Sequence, residues 1–204
     1  MPKRYLASSL TPRYDYHGAH KRTVDAPPRL DWSDGSSLAF VHDLIAGPLP
    51  HAYGTCDVLY TDLPWRKGFD IFNKRACIDD GRTYPEFMAA VSSIIASVPS
   101  SRPIYLVTGR HALSLLPEPA QVLDTRLNED VSVIVAYNIH EAHRRFGDSR
   151  ELLFSLATQY ERVGDFCCGY GSAARAFRRQ GKTFVASDVN PSCIGYIADH
   201  VEDW

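Results

Sequence analysis

The chain has 204 residues, with 22 Lys+Arg against 24 Asp+Glu, 45% hydrophobic and 23% charged. That size and balance fit one globular domain with a short accessory segment and exclude a long multidomain enzyme. A formal charge of −2 also excludes a polybasic protein whose affinity rests on bulk charge, although local clusters can still meet phosphate.

Residues 1–29 carry Lys3, Arg4, Arg13, Lys21, Arg22 and Arg29 against Asp15 and Asp25, and read as a basic, weakly ordered entry segment ahead of a folded domain over 30–204. Cys56, Cys77, Cys167, Cys168 and Cys193 form no C-x-x-C pair and are odd in number. That pattern predicts neither a disulfide framework nor a structural zinc site, and hence a reducing, cytoplasmic setting. No apolar run approaches the roughly 20 residues of a membrane span, and the start lacks a signal-peptide core.

In chain order, Ser36 and Ser37 before Leu38, Ala39, Phe40, Leu44 and Ile45 predict a capped helix stopped by Gly47 and Pro48. Val58, Leu59 and Tyr60 predict a buried strand over 56–61. Residues 66–83, which mix charge, aromatics, Gly68 and Gly81, predict a functional loop. Tyr84 and Pro85 open a helix carrying Phe87, Met88, Val91, Ile94 and Ile95. A strand over 104–107 ends at Thr108 and Gly109, and residues 122–127 and 131–137 predict a hairpin. A helix over 149–160, a strand over 163–167, a helix over 172–180, a strand over 183–187 and a helix from Pro191 complete the pattern. Such alternation predicts an α/β fold: a mostly parallel sheet, helices on both faces, and an antiparallel hairpin at one edge.

Two motifs carry the chemistry. Asp165, Phe166, Cys167, Cys168, Gly169, Tyr170, Gly171 and Ser172 run from a strand through paired glycines into a helix, a turn that lets backbone pass close to a ligand. Asp188 ends the next strand, where a carboxylate can accept ribose hydroxyls. Asp62, Leu63, Pro64 and Trp65 follow another strand, also at a carboxyl edge. Gly169, Gly171 and Ala174 alone are compatible with a nicotinamide dinucleotide site, but few residues follow Asp188 to supply the rest of that fold.

Together the motifs resemble the amino-methyltransferases of nucleic acids, whose catalytic tetrapeptide reads D-P-P-Y, D-P-P-F or D-P-P-W and whose cofactor loop reads D-P-F-x-G-S-G-T. Asp165, Gly169 and Gly171 match that loop, Cys168 fills its free position and Ser172 replaces Thr conservatively. Asp188-Val189-Asn190-Pro191 is similar to the family's D-I-N-P. The order, tetrapeptide first and glycine loop last, resembles the circularly permuted beta group of DNA methyltransferases. The resemblance implies a Rossmann-like class I methyltransferase sheet, circularly permuted, and S-adenosyl-L-methionine as cofactor. It implies cofactor contacts from Asp165, Cys167, Cys168, Gly169, Gly171, Ser172, Asp188 and Asn190, and from Asp31, on a strand at residues 29–32 that would complete the cofactor site. Leu63 in place of Pro, Phe166 in place of Pro and Cys167 in place of Phe depart from the pattern.

The tetrapeptide's chemistry survives the change at Leu63. An exocyclic amine on adenine is a weak nucleophile because its lone pair is delocalised. The Asp62 carboxylate and the residue 63 carbonyl can each accept one N–H and aim the nitrogen. Pro64 holds Leu63 extended, and Trp65 offers a stacking surface for a flipped base. Asp at the first position implies adenine N6 rather than cytosine N4. DNA is the expected partner. RNA, or a catalytically silent methyltransferase-fold binding partner, are the alternatives.

Arg66, Lys67, Lys74 and Arg75, interleaved with Phe69 and Phe72, suit phosphate contact and base stacking. His140, His143, Arg144, Arg145 and Arg150 form a second basic cluster, with no metal expected. No separate target-recognition domain fits in the chain, so sequence preference is expected from residues 66–83, from the basic segment, or from a partner, a second copy or a specificity chain.

Overall fold

A computed structural model of the chain describes residues 27–124, 132–140, 146 and 148–204. Its strands are β1 (Asp31–Ser33), β2 (Leu38–Val41), β3 (Val58–Asp62), β4 (Ile104–Gly109), β5 (Gln121–Asp124), β6 (Ser132–Tyr137), β7 (Arg162–Asp165) and β8 (Thr183–Asp188). The helices are α1 (Arg66–Arg75), α2 (Tyr84–Ser97), α3 (Ser149–Gln159), α4 (Ser172–Arg178) and α5 (Pro191–His200). The strands form one sheet in the order β1-β2-β8-β7-β3-β4-β6-β5. From β2 to β4 the pairing is parallel. The expected hairpin is present as antiparallel β5 and β6, with β6 antiparallel to β4; its turn, 125–131, lies outside the described residues.

Both faces of the sheet are covered, which is why its strands read as unbroken apolar runs. Val58, Tyr60, Val163 and Phe184 pack with Leu152 and Leu156 of α3, Phe177 of α4, and Ile194 and Ile197 of α5. Leu59, Leu106 and Val185 pack on the other face with Phe69 of α1 and with Phe87, Met88 and Val91 of α2. A capping box starts α2: Thr83 N–H donates to Glu86 Oε2 at 2.6 Å and Glu86 N–H to Thr83 Oγ1 at 3.4 Å. Among the described residues no helix is long and apolar enough to cross a membrane, and all five cysteines are free.

Three expectations are corrected. The helix over residues 36–45 is instead β2, paired in register with β8 from Leu38↔Val185 to Val41↔Asp188. Its Ser36-Ser37 signal belongs to a turn in which Asp34 Oδ1 accepts both their N–H groups, at 2.9 and 2.7 Å. The strand near Asp31 does not flank β8; it is the outer edge strand, antiparallel to β2. The first part of the predicted 66–83 loop is helix α1, stabilised by burial of one aromatic face.

The segment before β1 lies across α5. Arg29 N–H donates to Pro191 O at 3.1 Å, and Arg29 approaches Asp199 at 3.7 Å. A Cβ at position 195 would stand 1.9 Å from the Pro27 carbonyl oxygen, so Gly195 is what lets this crossing occur. Of the basic segment, residues 1–26 lie outside the described residues.

Candidate active site

The chain leaves β7 through α4 toward β8 on one side, and leaves β3 through α1 and α2 toward β4 on the other. Adjacent β7 and β3 therefore diverge, and the crevice outside their carboxyl ends is where open α/β sheets bind ligands. Asp165 ends β7, Asp62 ends β3 and Asp188 ends β8. The two motifs, about a hundred residues apart in the chain, thus share one edge.

The glycine loop is tied down by its own backbone. Cys168 N–H donates to Ser187 O at 2.9 Å and Gly171 N–H to Cys168 O at 2.8 Å, while Gly169 N–H donates to Asp188 Oδ2 at 2.9 Å. Gly171 has φ +76 and opens α4. A Cβ there would also stand 2.7 Å from Trp204 Cη2 and 3.0 Å from Ile197 Cγ1, so both conformation and space demand glycine. Gly169, at φ +48, has nothing within 4 Å of a Cβ position, and its side of the loop is open. The Arg175 guanidinium lies 5.1 Å over the Trp204 ring, and Tyr170 meets Tyr196 edge-on at 5.3 Å.

Asp188, half-buried, ties this loop to α5, since its Oδ1 accepts Asn190 N–H at 2.9 Å. Asn190 in turn caps α5, accepting Ser192 N–H at 3.0 Å. Cys168 is buried against the loop, and Ser172 is the first residue of α4.

Three carboxyl groups crowd this edge. Asp165 is 3% exposed and accepts Cys167 N–H at 3.3 Å. Burial pushes it up to about 8, with the charges of Asp62 and Asp188 adding, while the Thr61 hydroxyl and Cys167 N–H pull the other way. Asp62 opens onto the crevice, yet desolvation by the surrounding protein pushes its carboxyl up to about 7. Burial raises Asp188 as well, against the hydrogen bonds from Asn190 and Gly169. The Cys167 thiol, beside all three, is pushed well above its usual range, first by burial and then by these charges. It is held as a neutral thiol.

The tetrapeptide leaves β3 with Leu63 N–H donating to Val107 O at 2.9 Å. The Leu63 side chain is 1% exposed, so the residue that departs from the family pattern serves as a core anchor. Pro64 and Trp65 are half-buried at the rim, and the Trp65 carbonyl accepts Phe69 N–H at 2.8 Å at the start of α1. Arg66, Lys74 and Arg75 are exposed on α1, which also holds Lys67. Phe69 is not available for base stacking. It is 4% exposed, with its ring 5.8 Å from Tyr84 and 5.3 Å from Phe87.

Asp31 is exposed on β1, paired with Phe40, and β2 stands between it and β8. The place beside Asp188 is taken by the end of β2: His42 N–H donates to Asp188 O at 3.0 Å. Asp43 is bridged at 2.8 Å by Arg82, from the segment between α1 and α2. Sequence reasoning missed His42, Asp43 and Arg82. The strand pairing of Leu38–Val41 was the signal that could have found the first two. In the second basic cluster Arg150 bridges Asp148 at 3.3 Å; His143, Arg144 and Arg145 lie outside the described residues.

The chain path has counterparts among solved structures. The crystal structure of the M1.HpyAVI–SAM complex aligns with a TM-score of 0.51 at 10% identity, covering 80% of this chain and 98% of that chain. The crystal structure of M1.HpyAVI aligns at 0.49 and 11% identity, covering 80% and 97%. A candidate DNA modification methylase from Thermus thermophilus aligns at 0.49 and 14% identity, covering 81% and 94%. The first of these alignments establishes a shared fold. No family model and no curated protein matches the chain.

Proposed function

We propose that the chain is an S-adenosyl-L-methionine-dependent N-methyltransferase acting on DNA at adenine N6, of the circularly permuted kind it resembles. The observation that carries this reading is the meeting of the tetrapeptide and the glycine loop at the switch point between β3 and β7. The strand order supports the permuted arrangement, because β7 and β8, last in the chain, are inserted between β2 and β3. Residues 30–204 are read as the catalytic unit.

The residues fit the cofactor. The loop at Gly169 leaves free space, and three carboxyl groups beside it suit a sulfonium cation. Asp188 is held by two backbone N–H groups and keeps lone pairs for ribose hydroxyls. Asp165, Cys167, Cys168, Gly169, Gly171 and Ser172 line the loop side, and His42 and Asp43 take the place given to Asp31 on sequence grounds. When bound, S-adenosylmethionine supplies an electrophilic methyl group on a charged sulfur.

Asp62 and the Leu63 carbonyl accept the two N–H bonds of the amine and fix its direction. The carbonyl is aimed by the Leu63 N–H bond to Val107 and by the restriction that Pro64 places on residue 63. Asp62 Oδ, with its carboxyl near 7, is suited to take the proton the amine gives up. Trp65 stacks the base, while Arg66, Lys67, Lys74 and Arg75 meet phosphate.

The test is transfer of a tritiated methyl group to DNA, RNA and protein, followed by nucleoside analysis. The expected product is N6-methyladenine in DNA, lost in Asp62→Ala. Label in RNA alone, or no transfer together with no cofactor binding by calorimetry, would overturn the reading in favour of an RNA enzyme or a silent partner.

A further inference from the structure

Trp65 has a neighbour that no motif announces. Gly109, the last residue of β4, has φ −74 and ψ 144, a conformation open to any residue. A Cβ there would stand 2.6 Å from His111 Cε1, 2.7 Å from His111 Nδ1 and 3.6 Å from Trp65 Cδ2, close enough to push the exposed imidazole aside. The imidazole and indole rings therefore converge on one point above the end of β4, the strand that pairs with β3 as far as Asp62↔Val107.

His111 is exposed but braced from below. Its ring lies 5.9 Å from that of Tyr84, tilted by 38°. Tyr84 is itself 5% exposed and packs 6.2 Å from Phe87. A chain of rings thus leads from the core outward and ends in two exposed or half-buried aromatic surfaces beyond the paired ends of β3 and β4, where Asp62 closes β3. Flat, electron-rich surfaces of this kind bind planar heterocycles by stacking, whatever their hydrogen-bonding edge.

We infer that His111 forms, with Trp65, a two-ring grip for the planar heterocycle that bears the acceptor amine, and that it acts through stacking and not through proton exchange. The inference rests on the reading of Asp62 and Trp65 as the acceptor side. Gly109 is then the residue that keeps the grip open, because a methyl group there displaces the imidazole.

The experiment measures methyl transfer by the full chain to an adenine-containing oligodeoxynucleotide, together with fluorescence of 2-aminopurine placed at the target position. His111→Ala is expected to raise KM for the oligonucleotide by about tenfold to a hundredfold, the range of one lost stacking partner, with KM for S-adenosylmethionine unchanged. His111→Phe is expected to recover to within about threefold, and Gly109→Ala to reproduce the His111→Ala defect. Near-ultraviolet circular dichroism verifies that each variant is folded.

An unchanged oligonucleotide KM in His111→Ala, with active wild type, overturns this inference and leaves the acceptor reading standing. So does a His111→Phe variant as impaired as the alanine with an altered pH profile, which would mean proton exchange. A wild type that neither transfers methyl to DNA nor changes 2-aminopurine fluorescence overturns both.

Discussion

Asp165→Asn separates the folding cost of the buried carboxyl from its use. The side chain is 3% exposed and its carboxyl is raised from 3.8 to about 8. The folded state therefore keeps a proton that the unfolded chain loses, and stability falls as pH rises from about 4 to about 8. At about 1.36 kcal/mol per unit the ceiling on this loss is about 6 kcal/mol. Water entry and relaxation around the site reduce the expected effect to about 2 to 3 kcal/mol.

Asparagine cannot ionise. Its Oδ1 can still accept Cys167 N–H, and its amide can donate to the Thr61 hydroxyl beside it. Urea denaturation of both proteins at pH 5, 7, 8 and 9 gives the test, read as the difference between them because Asp62 and Asp188 titrate in each. The stability gap in favour of asparagine is expected to grow by about 2 kcal/mol between pH 5 and 8 and then level off. Calorimetry at pH 9, where the Asp165 carboxyl is ionised, is expected to show S-adenosylmethionine affinity reduced at least about tenfold, the scale of one lost charged contact. A gap that does not change with pH would refute the argument, since Asp165 would then ionise in the folded state as readily as in the unfolded one.

Three further outcomes are expected. The rate constant kcat/KM rises with pH through about 7 as Asp62 ionises to the accepting carboxylate, and Asp62→Asn gives a low, flat profile in the same assay. Gly171→Ala, which forces a side chain to φ +76 within 2.7 Å of Trp204, lowers stability by about 2 kcal/mol or more in chemical denaturation and weakens cofactor binding. Replacing Arg66, Lys74 and Arg75 together by Gln weakens DNA binding and reduces the slope of log K against log salt by about 2 to 3 in a salt titration, leaving single-turnover methyl transfer at saturation unchanged.

The central strands were legible because burial on both faces writes them as short apolar runs, as in Val58-Leu59-Tyr60 and in residues 104–107. The site was legible where its residues stand next to strand ends: Asp62 to Trp65 and Asp165 to Ser172 need only local sequence to be placed at a carboxyl edge. The errors have a common physical source. Ser36 and Ser37 carry a cap-like signal that the Asp34 turn uses, and four apolar residues after it do not distinguish strand from helix. Residues 66–75 lack a side-chain cap and contain Gly68, and packing of Phe69 against Tyr84 and Phe87, which no local pattern announces, supports the helix. Nothing local announces that Trp204 seals Gly171 or that His111 stands over Gly109, because those contacts exist only after the chain has folded.

The order of strands in the sheet has a consequence for how the protein is made. One half of the sheet draws β1 and β2 from before β3 and β7 and β8 from after β6, so a ribosome delivers its pieces well apart in time. The other half, β3 to β6, is complete in the emerging chain before β8 exists. Long-range closure of this kind is slow, and until β8 arrives the edge of β2 that β1 does not cover stays open and able to capture a foreign strand. The edge that carries Asp188 and the glycine loop is therefore the last part of this sheet to close, when β8 inserts between β2 and β7.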